Sequence, residues 1–156
     1  MVFDQAAISA LFSALVSTGK QIGTFRSSVI QHEPLSAPVT VPALALWWTS
    51  IAPARGASGL AATSARVEFG GRIYAGRLTK PEDNVDPALV TYTSQVIAAF
   101  SGGFTLNGEV MEVDLLGAYG APLSAEAGYL EQDSSPFRVA QLVVPVIADG
   151  IWTQGA

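Results

Sequence analysis

Ser64-Ala65-Arg66-Val67-Glu68-Phe69 alternates polar and apolar side chains, with Ala65, Val67 and Phe69 on one side and Ser64, Arg66 and Glu68 on the other. That period of two marks a half-buried strand. The strand runs over 61–77, with a bulge or sharp bend expected at Gly70-Gly71. Before it, Ala43-Leu44-Ala45-Leu46-Trp47-Trp48-Thr49-Ser50-Ile51 is apolar on both faces at strand period, so it reads as a strand covered on both sides. The connection holds Pro53, Gly56 and Gly59 and leaves no room for a crossover helix. Two strands joined in this way pair antiparallel.

Working outward, the residues before this pair begin with a helix. Asp4 is the expected N-cap, Ile8, Leu11, Phe12 and Leu15 form one apolar stripe, and Gly19 is the expected stop. Residues 20–32 read as a strand, with Ile22, Thr24, Phe25, Val29 and Ile30 as its β-branched and aromatic members. Residues 33–42 hold Pro34, Pro38 and Pro42 and form a loop or an extended arm.

Beyond the pair, Asp86-Pro87 starts a second helix over about 86–101, in which Leu89, Tyr92, Val96, Ala99 and Phe100 recur at helical spacing. Ser101-Gly102-Gly103 ends it. The rest is a β meander. Asn107-Gly108 joins Phe104–Leu106 to Glu109–Leu116, and a glycine corner follows at Gly117 and Gly120. Ala125–Glu131 turns through Gln132–Pro136 into a last strand, Phe137–Ile147, which Pro145 places at an edge or ends early. The chain is therefore an α+β fold: a mostly antiparallel sheet with both helices on one face, in a single domain over 1–156.

Composition narrows the function. Of the 156 residues 49% are hydrophobic and only 13% are charged, where about a quarter is usual. A small chain with so much apolar surface and so little charge covers that surface with a copy of itself or a partner. There is no cysteine, hence no disulfide and no thiolate metal site. Met1-Val2-Phe3-Asp4-Gln5 lacks the basic region of a secretory signal, and no apolar run is long enough to span a bilayer, so neither secretion nor a membrane is expected. The net charge is −5 and the eight basic residues are dispersed, which argues against a dedicated nucleic-acid surface.

Each polar constellation has a structural reading beside the chemical one. His32 and Glu33 are the one histidine–acid pair, but neighbouring residues in a strand point to opposite faces, so Glu33 is poorly placed to orient His32. Glu82, Asp83 and Asp86 are the densest acids, yet they lack the alternating ligands of a calcium loop and read as a solvated loop with a helix cap. Glu112 and Asp114 share a strand face, the minimum for glycosidase-type catalysis, but an acidic strand facing solvent or a ring lumen explains them as well. No serine sits in a nucleophile elbow, and no glycine run has the Lys-Ser/Thr ending of a phosphate loop. Trp47 and Trp48 point to opposite faces: one belongs to the core, the other beneath a helix or at a subunit interface. No catalytic, cofactor or metal residue is assigned. The residues assigned to contacts are His32, Glu33, Pro34, Trp47, Trp48, Arg55, Glu82 and Asp83, from the proline-rich segment, the strand beside it, and the loops 53–60 and 80–86.

Several stretches together resemble the tail terminator proteins of long, non-contractile-tailed (siphovirus-like) actinobacterial phages. They are Phe12–Leu15 before Gly19, His32-Glu33-Pro34, Ala57–Arg66, Pro81-Glu82-Asp83 before Asp86-Pro87, Phe104–Leu106, Val113–Gly117, Ala127-Gly128-Tyr129, Phe137-Arg138 and Val144-Pro145-Val146. The likeness spans nearly the whole chain, and its order and spacing carry it. It implies a small α+β protein that forms a hexameric ring on the head-proximal end of the tail tube, ends tube growth and meets the head–tail connector. The genome would pass through the lumen without sequence-specific binding, and there would be no catalytic residues or cofactor. The protein would be found in the virion tail, and in the host cytoplasm during assembly. The net negative charge suits a channel that DNA must slide through. The alternatives are another head–tail connector or tail completion protein, or a small hydrolase or ligand-binding domain using Glu112 and Asp114 or His32.

Overall fold

A computed structural model describes residues 2–3, 5–25, 28–38, 40–53, 65–77, 85–102, 112–114, 116–117, 120–148 and 152–153. In chain order the elements are β1 (Val2–Phe3), α1 (Gln5–Gln21), a 3₁₀ turn (Gly23–Phe25), β2 (Val29–Ile30), β3 (Ala43–Pro53), β4 (Ala65–Arg77), α2 (Val85–Gly102), β5 (Glu112–Val113), β6 (Ser124–Gln132), β7 (Ser135–Ala148) and β8 (Trp152–Thr153). The main sheet runs β2-β3-β4-β7, and β6 and β5 share the far side of β7. β6 pairs with the first part of β7 and β5 with Val146 and Ile147. Every pairing is antiparallel except β2 with β3. β1 and β8 form a separate two-stranded ladder that joins Val2 to Thr153. This is the expected α+β fold with a mostly antiparallel sheet.

Both helices pack on one face of the sheet. Leu11 and Leu15 of α1 and Leu89, Val96 and Phe100 of α2 are buried against Leu44, Leu46, Val67, Phe69, Ile73, Leu142, Val144 and Val146. The Phe12 and Phe69 rings stack at 5.8 Å. Each fully buried side chain of this size contributes roughly 1.5–3 kcal/mol by leaving water. The helical spacing that places Leu89, Val96 and Phe100 in one stripe is therefore what fixes α2 to β4 and β7.

The strand expected over 20–32 is not continuous: residues 20–21 belong to α1 and 23–25 to the 3₁₀ turn. Gly19 does not stop α1 but lies inside it, and a Cβ there would meet Leu44 Cδ2 at 3.1 Å. Its bare Cα lets the last turn lie close on β3. The chain then rolls into the 3₁₀ turn through Ile22 N–H donating to Gly19 C=O and Phe25 N–H to Ile22 C=O, which brings Phe25 into the core against Tyr92. Of the described residues in this segment, only Val29 and Ile30 are strand.

Gly70-Gly71 is neither a bulge nor a bend, because the ladder to β7 passes straight through both. The irregularities fall instead between Trp48 and Ser50 and between Tyr74 and Gly76. The two glycines make room on opposite faces: a Cβ on Gly70 would lie 2.6 Å from Trp47 Nε1, and one on Gly71 would lie 2.9 Å from Leu142 Cδ1.

β7 is an interior strand despite Pro145, which pairs with Glu68 of β4. The Pro145 carbonyl accepts from Asp114 N–H on the β5 side. In an antiparallel strand the N–H and C=O of one residue point the same way, so the missing donor faces away from β4. It faces the gap where β6, which pairs up to Val143, gives way to β5. A proline is tolerated where no ladder bond is due.

β3 is covered on both sides only over 43–46. Trp47 is half-buried, and Trp48, Thr49 and Ser50 are exposed. α2 starts at Val85, so Asp86 lies in its first turn rather than capping it. Gly117, at φ +73°, turns the expected corner, where a Cβ would meet the Gly120 carbonyl. The expected cap Asp4 and the Asn107-Gly108 hairpin lie outside the described residues.

Candidate interaction face of the sheet

By the period of two, the face of β4 turned away from the helices carries Arg66, Glu68, Gly70, Arg72 and Tyr74. A strand that alternates core and charge ordinarily leaves the charged side in water. Here two segments close over it, so Arg66 is 9% and Arg72 8% exposed.

At one end the proline-rich segment docks. Tyr74 packs edge-on against Phe137 at 5.7 Å, in a small second core with Ala43 and Val139. Arg72 Nη1 donates to the Tyr74 hydroxyl at 3.1 Å, the hydroxyl donates to Gln132 Oε1 at 2.8 Å, and Gln132 Nε2 donates to the Pro34 carbonyl at 2.9 Å. Ala37 N–H donates to Asp133 Oδ2 in the β6–β7 turn at 2.9 Å. The Arg72 guanidinium lies 5.4 Å from the Trp47 ring centre and 3.6 Å from Glu33 Oε1. Cation–π contacts and a charged partner offset part of the cost of burying a cation. Arg72 Nε has no hydrogen-bond partner among the described residues.

At the other end Gly120 and Ala121 lie over Arg66, whose Nε and Cζ would be 2.6 and 2.7 Å from a Cβ on Gly120. Arg66 bonds Glu68 Oε2 at 2.6 Å, donates to the Ala121 carbonyl and lies 3.6 Å from Asp114 Oδ2. Asp114 is 4% exposed. It is therefore a buried counter-ion and not the solvent- or lumen-facing acid expected from its strand position. Glu112 stands opposite Ile147 in the β5 ladder, and its side chain is outside the described residues.

The assigned contact residues divide three ways. His32 is exposed on a groove of about 330 Å³ lined by Val29, Ile30, Pro34, Ser36 and Thr40. Glu33 turns to Arg72 and Pro34 is buried, so both hold the loop to the sheet. Trp47 covers Gly70, whereas Trp48 is 53% exposed on the helix side of the sheet. Arg55, Glu82 and Asp83 lie outside the described residues.

Arg66, Arg72, Tyr74, Gln132 and Arg138 were not singled out from the sequence. Arg138 Nε donates to Asp86 Oδ1 at 2.8 Å, Nη1 donates to the Gly128 carbonyl at 3.1 Å, and the guanidinium sits 4.3 Å from the Tyr129 ring centre. The bond to Asp86 raises the Arg138 pKa against the opposing effect of burial. Nothing in the sequence pairs residues 52 positions apart.

Among the described residues no three His, Asp or Glu side chains gather in a way that would hold a metal ion. No described helix is long and apolar enough to cross a membrane. No protein-family model matches the chain, and no curated protein matches it. What the fold and this face define is an α+β protein whose sheet is locked on its outer side by two buried arginines.

Proposed function

We propose that this chain is a tail terminator: a structural protein that rings the head-proximal end of a phage tail tube, stops its polymerisation and forms the joint to the head–tail connector. The observation that carries the reading is a charge-poor α+β chain that, beside its buried core, keeps several large apolar side chains in water. Trp48, Leu35, Leu116, Val90 and Tyr129 are 53%, 94%, 93%, 65% and 69% exposed. Exposed aromatic and aliphatic side chains on a chain this poor in charge suit contacts with partners. The resemblance in the order of motifs supplies their kind: six copies of the chain, the tube protein and the connector. DNA would cross a lumen formed by subunits of net charge −5, which repel phosphates. The reading assigns no catalytic residue. Against a hydrolase built on Glu112 and Asp114 stands the burial of Asp114 against Arg66.

Electron microscopy of the protein mixed with tail tube protein is the test. Sixfold rings on tube ends are expected, and monomers alone would reject the proposal. Deleting the gene separates the terminator from its nearest alternative. Overlong tubes mark a terminator, whereas normal tails that fail to join heads mark a connector or completion protein.

A further inference from the structure

Among the described residues the main sheet is open at both ends. β2 covers only Leu44 and Ala45 of β3, so no described strand lies outside residues 46–53. At the other end β6 pairs with β7 and with no other described strand. Folded proteins usually protect such edges with charge or cover, because unpaired N–H and C=O groups recruit another strand. Residues 46–53 contain no charged side chain. β6 carries Glu126 and Glu131.

The two edges suit each other better than either suits itself. The free stretch 46–53 is close in length to β6, which has nine residues. Because β3, β4, β7 and β6 alternate in direction, β6 of one copy beside β3 of a like-oriented copy continues the antiparallel pattern. Pairing β6 with a second β6 would instead bring four carboxylates into one ladder, and like charges across a ladder destabilise it.

The side chains on the helix side also match. Trp48 pairs with Phe69, and so lies on that side of β3, 53% exposed. At the opposite end and on the same side, α2 and β6 enclose a groove of about 220 Å³ lined by Val90, Thr93, Ser94, Ala125, Ala127 and Ala140. The small side chains of β6 leave there the space that a large ring fills. A tryptophan in such a pocket is the usual anchor of an interface.

We propose that residues 46–53 of one copy pair antiparallel with β6 of the next, with Trp48 seated in the α2–β6 groove. With Trp48 opposite Ala127, the irregularity at Thr49 brings Ser50 opposite Glu126 on the other face of the sheet. The two surfaces differ, so every copy offers one to each neighbour, and the arrangement closes into a ring or continues as a filament. The pairing rests on the two edges and their side chains; only its closure into a ring rests on the tail-terminator reading.

The absence of cysteine gives a direct test. Full-length Ser50→Cys and Glu126→Cys proteins are mixed and oxidised, each is oxidised alone, and the double variant is oxidised separately. The expected result is linked dimers from the mixture, a ladder of linked copies from the double variant and no linkage from either single variant. Trp48→Ala should unfold at the wild-type temperature yet associate at least about 30-fold more weakly by light scattering. Linkage of Glu126→Cys to itself, oligomers that persist in Trp48→Ala, or a wild type that stays monomeric across the micromolar range would each overturn the proposal, the last leaving the edges to a different protein. The functional reading fails separately. Oligomers that depend on Trp48 but do not cap tubes keep this interface and reject the terminator, whereas Trp48→Ala rings that still cap tubes do the reverse.

Discussion

At Gly70 one hydrogen in place of a methyl group keeps the Trp47 indole flat on the sheet and beside Arg72. A Cβ there would stand 2.6 Å from Nε1 and 2.8 Å from Cε2, so Gly70→Ala must displace the ring and with it one wall around a buried cation. We expect a loss of about 1–3 kcal/mol in urea unfolding, the usual scale of an overpacked site. Gly23→Ala is the control, since nothing lies within 4 Å of its Cβ position; it should be neutral or stabilising by up to about 1 kcal/mol. Arg72 itself has two anchors of unequal weight. Tyr74→Phe deletes the hydroxyl that joins Arg72 to Gln132 and should cost about 1–3 kcal/mol, because it strips buried partners. Glu33→Gln touches a pair whose carboxylate side chain is 57% exposed and should cost less than about 1 kcal/mol. Equal losses from the two substitutions in matched unfolding curves would reverse this ranking. The alternation of β4 showed where these arginines point. It did not show that they are buried, because their covers come from 33–38 and 120–121, far away in the chain.

The β6–β7 hairpin shows what the sequence makes legible at the scale of an element. A turn within Gln132–Pro136 was readable from its composition, but it is tighter than expected: the ladder closes from Gln132 to Ser135, so Ser135 and Pro136 already belong to the strand. The structure adds that Asp133 and Ser134 both have positive φ, at 52° and 61°. This is the mirror-image turn that matches strand twist, and it strains any residue with a Cβ. Ser134→Gly should therefore raise stability by about 1 kcal/mol, read as a higher urea midpoint at unchanged slope. Asp133 should stay, because its carboxylate holds Ala37 N–H and so ties the proline-rich loop to the hairpin. α2 was equally legible, since Leu89, Val96 and Phe100 bury the face their spacing defines. Residues 20–32 misled because β-branched and aromatic content speaks for a strand only where a neighbour offers a ladder. β3 offers one at Leu44 and Ala45 alone. Gly19 and Pro145 misled for a related reason: each was read by its backbone habit, while its position is set by what stands next to it in space. Of the contact residues, the alternation put Trp47 and Trp48 on opposite faces but did not say which is exposed, and the expected core tryptophan is absent from the buried core: Trp47 is half-buried over Gly70 and Trp48 is exposed. The roles of Glu33 and Pro34 depend on Arg72 and Gln132, which no local pattern brings near them.

For the whole molecule, charge and exposed surface make separable demands on assembly. Each copy carries a net charge of −5, so neighbours in the proposed assembly would repel one another over a distance that salt shortens, from about 10 Å at 0.1 M to about 3 Å at 1 M. The facing edges 46–53 and 124–132 contribute no pair of opposite charges. Their attraction is backbone pairing and the burial of Trp48, neither of which weakens on screening. Association should then hold or strengthen as salt rises from about 0.1 M to about 1 M, measured as the midpoint of a dilution series by light scattering. An assembly held by ion pairs would instead lose affinity across this range, and a tenfold weakening would mean that charged side chains outside these two edges carry the contact. The same screening argument separates subunit contacts from the DNA passage that the proposed function requires. If the proposed ring forms, its net negative subunits offer few cationic side chains to displace the counterions condensed on DNA, so duplex DNA should show little salt-dependent retention by the assembled protein at concentrations where the assembly is stable.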